Sequence, residues 1–269
     1  MNDLSAAPLI TTPDFGLRLA SYNIHKGVLG FRASRLTIHG VREQLHQLDA
    51  DLIFLQEVQG KHEGFAKSFK DWPAEPQHEF LARRSSEGPY HVAYGLNALY
   101  AKGHHGNALL SKFPIRWWDN RDVSHHRLER RGILHCLLDT PIGEVHALVI
   151  HFGLFAVSRR RQTEQLLHHV ASSIPAGAPL LIAGDFNDWR GRLSQTIEKE
   201  LNVQEVFLAT QQGKRGGVLS FPAHRPMVPL DRIYQRGFEV TQAQVFSGRE
   251  WSRLSDHAPI MVDLAYGKT

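Results

Sequence analysis

Short apolar runs that end abruptly in polar residues limit the fold of this chain more than any other feature. Residues 180–183 are apolar, and Gly184, Asp185 and Asn187 follow at once. A continuous apolar run bounded by turn residues is typical of a fully buried strand. Residues two apart in extended backbone project to the same side. The sequence therefore predicts a carboxylate and an amide together at a strand end, the alternative being a simple turn.

The same ending recurs along the chain. Strand-like runs at 17–23 and 51–56 lead into Asn23 and Glu57, with a helical pattern at 34–48 between them that Ser34 is expected to cap. Each of these polar residues could also have a purely structural role; Glu57, for example, could simply face solvent. The polar residues at strand ends are Asn23, Glu57, His151, Asp185, Asn187, Asp231, Asp256 and His257.

Composition is that of a globular protein with one large core. The chain has 269 residues, 42% of them hydrophobic, and contains neither a linker nor an internal repeat. We expect a flexible tail at 1–15 and a single domain at 16–269. No signal-peptide pattern and no run of eighteen apolar residues occurs, so no membrane-spanning helix is predicted. The single cysteine, Cys136, is typical of a reducing compartment, and we expect a cytoplasmic monomer.

The collected polar residues favour hard-metal chemistry on phosphate. Mg²⁺ prefers carboxylate oxygens, retains waters and pairs with substrate phosphates. The compact thiolate or histidine spacing of a structural zinc site is missing. The net charge of +4 mildly favours an acidic or phosphate-bearing partner. Together these residue types suit metal-assisted attack of water on a phosphate ester.

Two further stretches are candidates for binding the substrate. The run 103–106, with His104 and His105 between glycines, is predicted to be a substrate loop rather than a zinc site, because neighbouring histidines on a strand face opposite ways. A helix at 158–173 with Ser158 as its N-cap has arginines at 159–161 in its first turn. Cations there oppose the helix dipole, which suggests that they serve an anion. A solvated basic face is the alternative for at least two of them.

In this set of motifs the chain resembles the endonuclease/exonuclease/phosphatase superfamily, which includes deoxyribonucleases, abasic-site endonucleases, sphingomyelinases and inositol-polyphosphate phosphatases. The resemblance extends over 18–264, with the motifs in the family's order, and is greatest to a bacterial branch. It implies a four-layer α/β/β/α sandwich of two mainly antiparallel sheets flanked by helices. The motifs are residues 22–23, 55–57, 106–111, 151, 184–187, 231–233 and 255–257, and runs 23–27, 103–107 and 184–189 indicate the bacterial branch.

The resemblance also implies a cofactor and its ligands. Mg²⁺ or Mn²⁺ is expected, with Glu57 as the main ligand. Asn23 and Asp256 are expected to contribute directly or through water.

Catalytic roles follow from the resemblance in the same way. Asp185 is expected to orient or deprotonate the attacking water, and Asn187 to hold the scissile phosphate. His257 would stabilise charge on the phosphoryl oxygens, with Asp231 fixing its ring and favouring the imidazolium. His151 would contact phosphate or assist the leaving oxygen.

Four more residues are predicted to bind phosphate or substrate. Arg131 matches the position of a phosphate-contacting arginine in some family members, although Arg130 beside it offers an alternative alignment. Asn107 is a second phosphate-contact candidate, and His105 and Arg159 complete the set.

The function expected is that of a metal-dependent phosphodiesterase. DNA or RNA is the leading substrate, and a phospholipid headgroup or a small phosphodiester is the rival. His25 replaces the acidic residue typical of abasic-site enzymes, and neither the long basic motifs of inositol phosphatases nor a membrane-inserting hairpin is evident. Loops 60–90 and 210–229 are expected to choose the substrate. A non-catalytic phosphate-binding protein is the remaining alternative, disfavoured because the full residue set is present.

Overall fold

The computed structural model describes residues 15–31, 33–84, 88–127, 129–210 and 217–266. The predicted tail lies outside these ranges except for Phe15, whose ring packs against Phe113 with centroids 5.9 Å apart. The strands are β1 Gly16–Asn23, β2 Val28–Leu29, β3 Arg35–Leu36, β4 Leu52–His62, β5 His91–Tyr100, β6 Gly103–Ser111, β7 Ile115–Asp122, β8 Gly132–Thr140, β9 Gly143–His151, β10 Leu180–Asp185, β11 Gln204–Glu205, β12 Asp231–Arg236, β13 Glu239–Val245 and β14 Ile260–Ala265. The helices are α1 Ile38–Leu48, α2 Glu63–Ser68, α3 Gln77–Ala82, α4 Ala156–Ser173, α5 Ser194–Leu201 and α6 Val206–Ala209.

Most of these strands form two large sheets. Within the described ranges each sheet has six strands, in the orders β13-β14-β1-β4-β6-β5 and β11-β12-β10-β9-β8-β7. Strand β1 is parallel to β4, and β9 is parallel to β10. The other neighbouring pairs are antiparallel. Each sheet therefore has one central parallel pair whose strands end at the same edge.

Side-chain alternation along the strands builds the layers. In β4, Leu52 and Phe54 point into the core between the sheets, whereas Ile53 and Leu55 pack on the outer side with α1. Strand β10 alternates in the same way between the inter-sheet core and α4. Because successive residues of a strand face opposite sides, a continuous apolar run can serve two cores at once. The result is the predicted four-layer sandwich, and the fold prediction is confirmed.

Two predicted helix starts are wrong. Helix α1 begins at Ile38 rather than near Ser34, because the preceding residues of β3 pair with β2. Helix α4 begins at Ala156, and Ser158 lies inside its first turn, where its hydroxyl is 3.1 Å from Nδ1 of His125. In both cases a tertiary contact outcompetes the local capping signal.

The prediction that residues 103–106 form a loop is also wrong. Strand β6 begins at Gly103 and includes His104 and His105, paired with both β4 and β5. No helix among the described residues is long and apolar enough to span a membrane.

Candidate active site

Strand register brings three of the predicted residues side by side in the second sheet. Asp185 at the end of β10 lies opposite His151 of β9 and opposite Asp231 of β12. All three are at most 4% exposed. A buried acid, a histidine and a second acid thus occupy adjacent strands at one edge.

The first sheet meets this edge through Asn23. Its Nδ2 donates to Oδ2 of Asp185 over 3.2 Å, and its backbone carbonyl accepts a hydrogen bond of 2.6 Å from Ser255. Asn23 is itself buried. The polar ends of the two sheets therefore converge on Asp185.

His257 and Asp231 form the predicted dyad. His257 Nδ1 lies 2.9 Å from Asp231 Oδ2, an oxygen that also accepts a 2.6 Å hydrogen bond from Ser220. The other ring nitrogen of His257, Nε2, lies 3.8 Å from Asp185 Oδ2. His151 Nε2 approaches the same oxygen to 3.6 Å. One carboxylate oxygen of Asp185 thus faces two imidazoles.

Burial and charge shift the pKa values of these groups in different directions. Burial raises the pKa of Asp185 to about 7, although the nearby His257 opposes the shift. Burial alone would lower the pKa of His257, but Asp231 and Asp185 raise it to about 10. Burial and then the charge of Arg131 hold the pKa of His151 well below its usual value. Near neutral pH the site therefore contains an imidazolium, a neutral imidazole and a carboxylate close to its titration midpoint.

Asn187 adopts a turn conformation rather than continuing the strand. Its φ is +50°, its backbone N–H donates to Asp185 Oδ1 over 2.9 Å, and its Nδ2 donates to the Phe152 carbonyl over 2.9 Å. The extended geometry used to predict its orientation is wrong, because β10 ends at Asp185. The turn nevertheless keeps Asn187 beside Asp185, and the catalytic roles of both residues stay predictions.

The predicted metal ligands of the first sheet are paired with cations of the protein. Glu57 lies at a β4 bulge with φ +59°, and its Oε2 is 3.0 Å from Lys26 Nζ. Asp256 Oδ1 is 3.2 Å from His25 Nδ1. Burial opposes ionisation of Glu57, but the charge of Lys26 outweighs it and lowers the pKa of the carboxyl. Sequence reasoning missed Lys26 as a site residue; its position three residues after Asn23 was the available signal.

These residues fit a hard divalent cation by their chemistry. The described residues contain no group of three or more His, Cys, Asp or Glu side chains placed to hold a metal. The predicted set is instead two carboxylates and one amide, all oxygen donors of the kind that Mg²⁺ binds while retaining water and substrate ligands. Lys26 forms an ion pair with Glu57, the predicted main ligand, so this carboxylate already balances one positive charge.

The four predicted substrate-binding residues have different surroundings. Arg131 Nε donates to the Phe152 carbonyl over 3.1 Å, and its charge lowers the pKa of both His151 and His105. His105 is largely buried on β6, and burial with the charge of Lys26 lowers its pKa to about 4. Arg131 and His105 are therefore close to the site, and their substrate roles stay predictions.

The Asn107 amide and one guanidinium nitrogen of Arg159 donate to backbone carbonyls of the protein. Asn107 Nδ2 donates to the Gly132 carbonyl at 3.0 Å and the Val149 carbonyl at 3.3 Å. Arg159 is buried, and its Nη1 donates to the carbonyls of Gly153 and Leu154. The solvated-face alternative for two of the three arginines is confirmed, because Arg160 and Arg161 are exposed and only Arg159 is buried. Phosphate contact by either residue stays a prediction.

Comparison with known proteins gives consistent relatives. Residues 20–257 match the model of the Endonuclease/Exonuclease/phosphatase family. The chain is 36% identical over 255 residues to the uncharacterised protein YbhP of Escherichia coli strain K12, with 94% of this chain and 98% of that protein covered. YbhP of Shigella flexneri matches to the same extent.

Solved structures share the fold. The endonuclease/exonuclease/phosphatase from Beutenbergia cavernae superposes with a TM-score of 0.72 at 19% identity, covering 94% of this chain and 72% of that one. ANGEL2, described as a 2',3'-cyclic phosphatase, gives a TM-score of 0.67 at 16% identity and covers 94% and 96% of the two chains. A humanised Danio rerio TDP2 gives 0.67 at 15% identity, covering 93% and 98%.

Proposed function

Because this chain belongs to the endonuclease/exonuclease/phosphatase family, we propose that it is a divalent-metal-dependent phosphodiesterase that uses an activated water. One observation supports this most directly. The buried carboxylate of Asp185 has a pKa raised to about 7 by burial and faces two imidazoles within 4 Å. A general base is most effective when its pKa lies near the working pH.

Each residue of the site has a role in this proposal. Asp185 takes a proton from the attacking water, and Asn187 fixes the Asp185 carboxylate and positions the phosphate. His257, kept protonated by Asp231, stabilises negative charge on the phosphoryl oxygens. His151 is neutral and hydrogen-bonds phosphate or the leaving oxygen.

Glu57, Asn23 and Asp256 would hold the cation, Mg²⁺ or Mn²⁺. When bound, such an ion supplies Lewis-acid polarisation and charge neutralisation at the phosphate. The chain's own contribution is to orient these oxygen donors at the edge where Asn23 contacts Asp185.

The test is hydrolysis of bis-p-nitrophenyl phosphate with Mg²⁺ and with a chelator, in the wild type and Glu57→Gln. We expect activity only with metal, and loss of most of it in Glu57→Gln with an unchanged melting temperature. Glu63→Gln is the matched control, because Glu63 forms an exposed ion pair with Lys61. Metal-independent turnover, or full activity of Glu57→Gln, would contradict the proposal.

For the substrate we propose a nucleic-acid strand, DNA or RNA. The net charge of +4 and the position of Arg131 beside His151 support a polyanionic partner. A small cyclic or linear phosphodiester is compatible with the same site. We further propose a cytoplasmic location, because the single cysteine is buried and forms no disulfide.

A phospholipid is the second candidate, favoured by one observation. The loop after β9 exposes Leu154 and Phe155, the first turn of α4 exposes Val157, and the loop after β10 exposes Trp189. These loops contact each other through the hydrogen bond from Asn187 to the Phe152 carbonyl. Exposed apolar side chains beside a site mark surfaces that contact lipid or another partner. A panel of single- and double-stranded DNA, RNA, inositol phosphates and phospholipid vesicles, assayed with Mg²⁺, separates the two.

A further inference from the structure

Two consecutive residues after β1 have unusual backbone conformations. His25 has φ +46° and Lys26 has φ +60°. Non-glycine residues in this region cost free energy, and such strain concentrates at functional sites. Here the turn directs each side chain to one of the two predicted metal-binding carboxylates, Lys26 to Glu57 and His25 to Asp256.

The Lys26 turn is held against β4 by a buried glutamine. Gln77 Nε2 donates to the Lys26 carbonyl over 2.9 Å, and Gln77 Oε1 accepts from the Gln59 N–H over 2.9 Å. Gln77 is 1% exposed. The Gly27 N–H closes the turn on the Ile24 carbonyl at 2.9 Å. The backbone of Lys26 is therefore fixed, while its side chain is 35% exposed and long enough to leave Glu57 without unfolding the turn.

An ammonium group and a divalent cation on the same carboxylate repel each other. The side chain of Glu57 is 17% exposed, so solvent screens this repulsion only in part. Building on the proposed function, which makes Glu57 the main metal ligand, we propose that Lys26 is an internal counter-cation of Glu57. The divalent cation displaces it, so Lys26 sets the affinity of the site for metal.

The experiment measures Mn²⁺ binding by isothermal titration calorimetry on the full chain without substrate. Lys26→Met keeps the length of the side chain and removes the charge, whereas Lys26→Arg keeps the charge. We expect Lys26→Met to bind Mn²⁺ about tenfold more tightly than the wild type, a change typical of losing one partly buried charged contact. Lys26→Arg should stay near the wild-type affinity. Lys61→Met is the control, since its ion pair with Glu63 is exposed.

Equal or weaker Mn²⁺ binding by Lys26→Met would overturn the inference. A weaker affinity in both Lys26 variants would do so too, because it would show that Lys26 supports the turn and does not compete with metal. Glu57→Gln distinguishes failure of the inference about Lys26 from failure of the proposed metal role of Glu57. If Glu57→Gln loses Mn²⁺ while Lys26→Met is unchanged, only the inference about Lys26 fails. If Glu57→Gln binds as the wild type does, the metal role of Glu57 fails with it.

Discussion

The buried groups proposed for catalysis and the carboxylates proposed to bind metal differ in how their charges are compensated. Asp185, Asp231 and His257 are buried; His257 Nδ1 lies 2.9 Å from Asp231 Oδ2, and Asp185 Oδ1 accepts a 2.9 Å hydrogen bond from the Asn187 N–H. Glu57 and Asp256 are more exposed and are balanced by Lys26 and His25. Fixed buried groups are suited to proton transfer and charge stabilisation without rearrangement. Carboxylates balanced by long or exposed side chains can exchange one cation for another. This comparison predicts larger effects on turnover for Asp185 and for the His257–Asp231 pair than for Asp256.

The largest effect is expected for Asp185→Asn. The amide cannot accept a proton from water, and general-base assistance contributes about a hundred- to ten-thousandfold to rate. We therefore expect kcat to fall by that order, with KM changed little, at saturating metal. The melting temperature should stay close to wild type because the exchange is nearly isosteric. Asp263→Asn, in a partly exposed ion pair with Arg18, serves as control. Near-normal turnover across pH would mean that the base lies elsewhere.

The dyad should give the next largest effect. His257→Ala removes a charged donor, a type of loss that costs about a hundred- to a thousandfold in kcat. Asp231→Asn should cost less, because the imidazole remains but loses the partner that favours its charged form. In single-turnover assays the double variant should be about as slow as His257→Ala, because the residues act as a unit. Additive losses would show two independent roles.

The pH profile should report the same buried groups. The pKa of Asp185 is raised by burial to about 7, and only its ionised form accepts a proton. kcat/KM should therefore fall about tenfold for each pH unit below 7. The pKa of His257 is raised to about 10, mainly by Asp231, so activity should fall again above that pH as the imidazolium is lost. In Asp185→Asn the fall in kcat/KM below pH 7 should disappear. A fall that persists in this variant would belong to the titration of another group.

The smallest effect is expected for Asp256→Asn. Asp256 has a side chain that is 36% exposed and paired with His25, and the amide retains an oxygen donor. Contributions of such exposed pairs correspond to about a two- to fivefold change in binding. We expect a shift of that size in the Mg²⁺ concentration giving half-maximal activity, with kcat maintained. A loss as large as that of Asp185→Asn would place Asp256 with the buried groups and break the comparison.

The polar residues at strand ends could be predicted from sequence because the apolar runs define where each strand stops. That argument found Asn23, His151, Asp185 and Asp231 at the ends or starts of strands. The strand end predicted at Glu57 is wrong, because β4 continues past a bulge there to His62. Periodicity could not distinguish a sandwich from other α/β folds, since a run such as residues 52–55 reads the same whether it serves one core or two. The family resemblance supplied that distinction.

The remaining features depend on contacts that no local pattern signals. The positive φ angles of His25 and Lys26 occur at residues that ordinarily avoid them, so their pairing with the carboxylates was not predictable. Helix α4 begins before Ser158, whose hydroxyl contacts His125 across the fold instead of capping the helix. Residues 211–216, part of a predicted substrate loop, lie outside the described ranges.

Asn107 belongs to the first sheet, yet its amide donates to backbone carbonyls of β8 and β9 in the second. In the proposed function the reacting groups are divided between the sheets, so the spacing of the sheets would be part of the catalytic geometry. A misplacement of about 1 Å can cost a hundredfold in rate. Substitutions in the inter-sheet core could therefore preserve folding yet be removed by natural selection for activity. Substitutions in the helix-facing cores would be under weaker selection. We therefore expect the sequences of homologues to vary more there than in the core between the sheets.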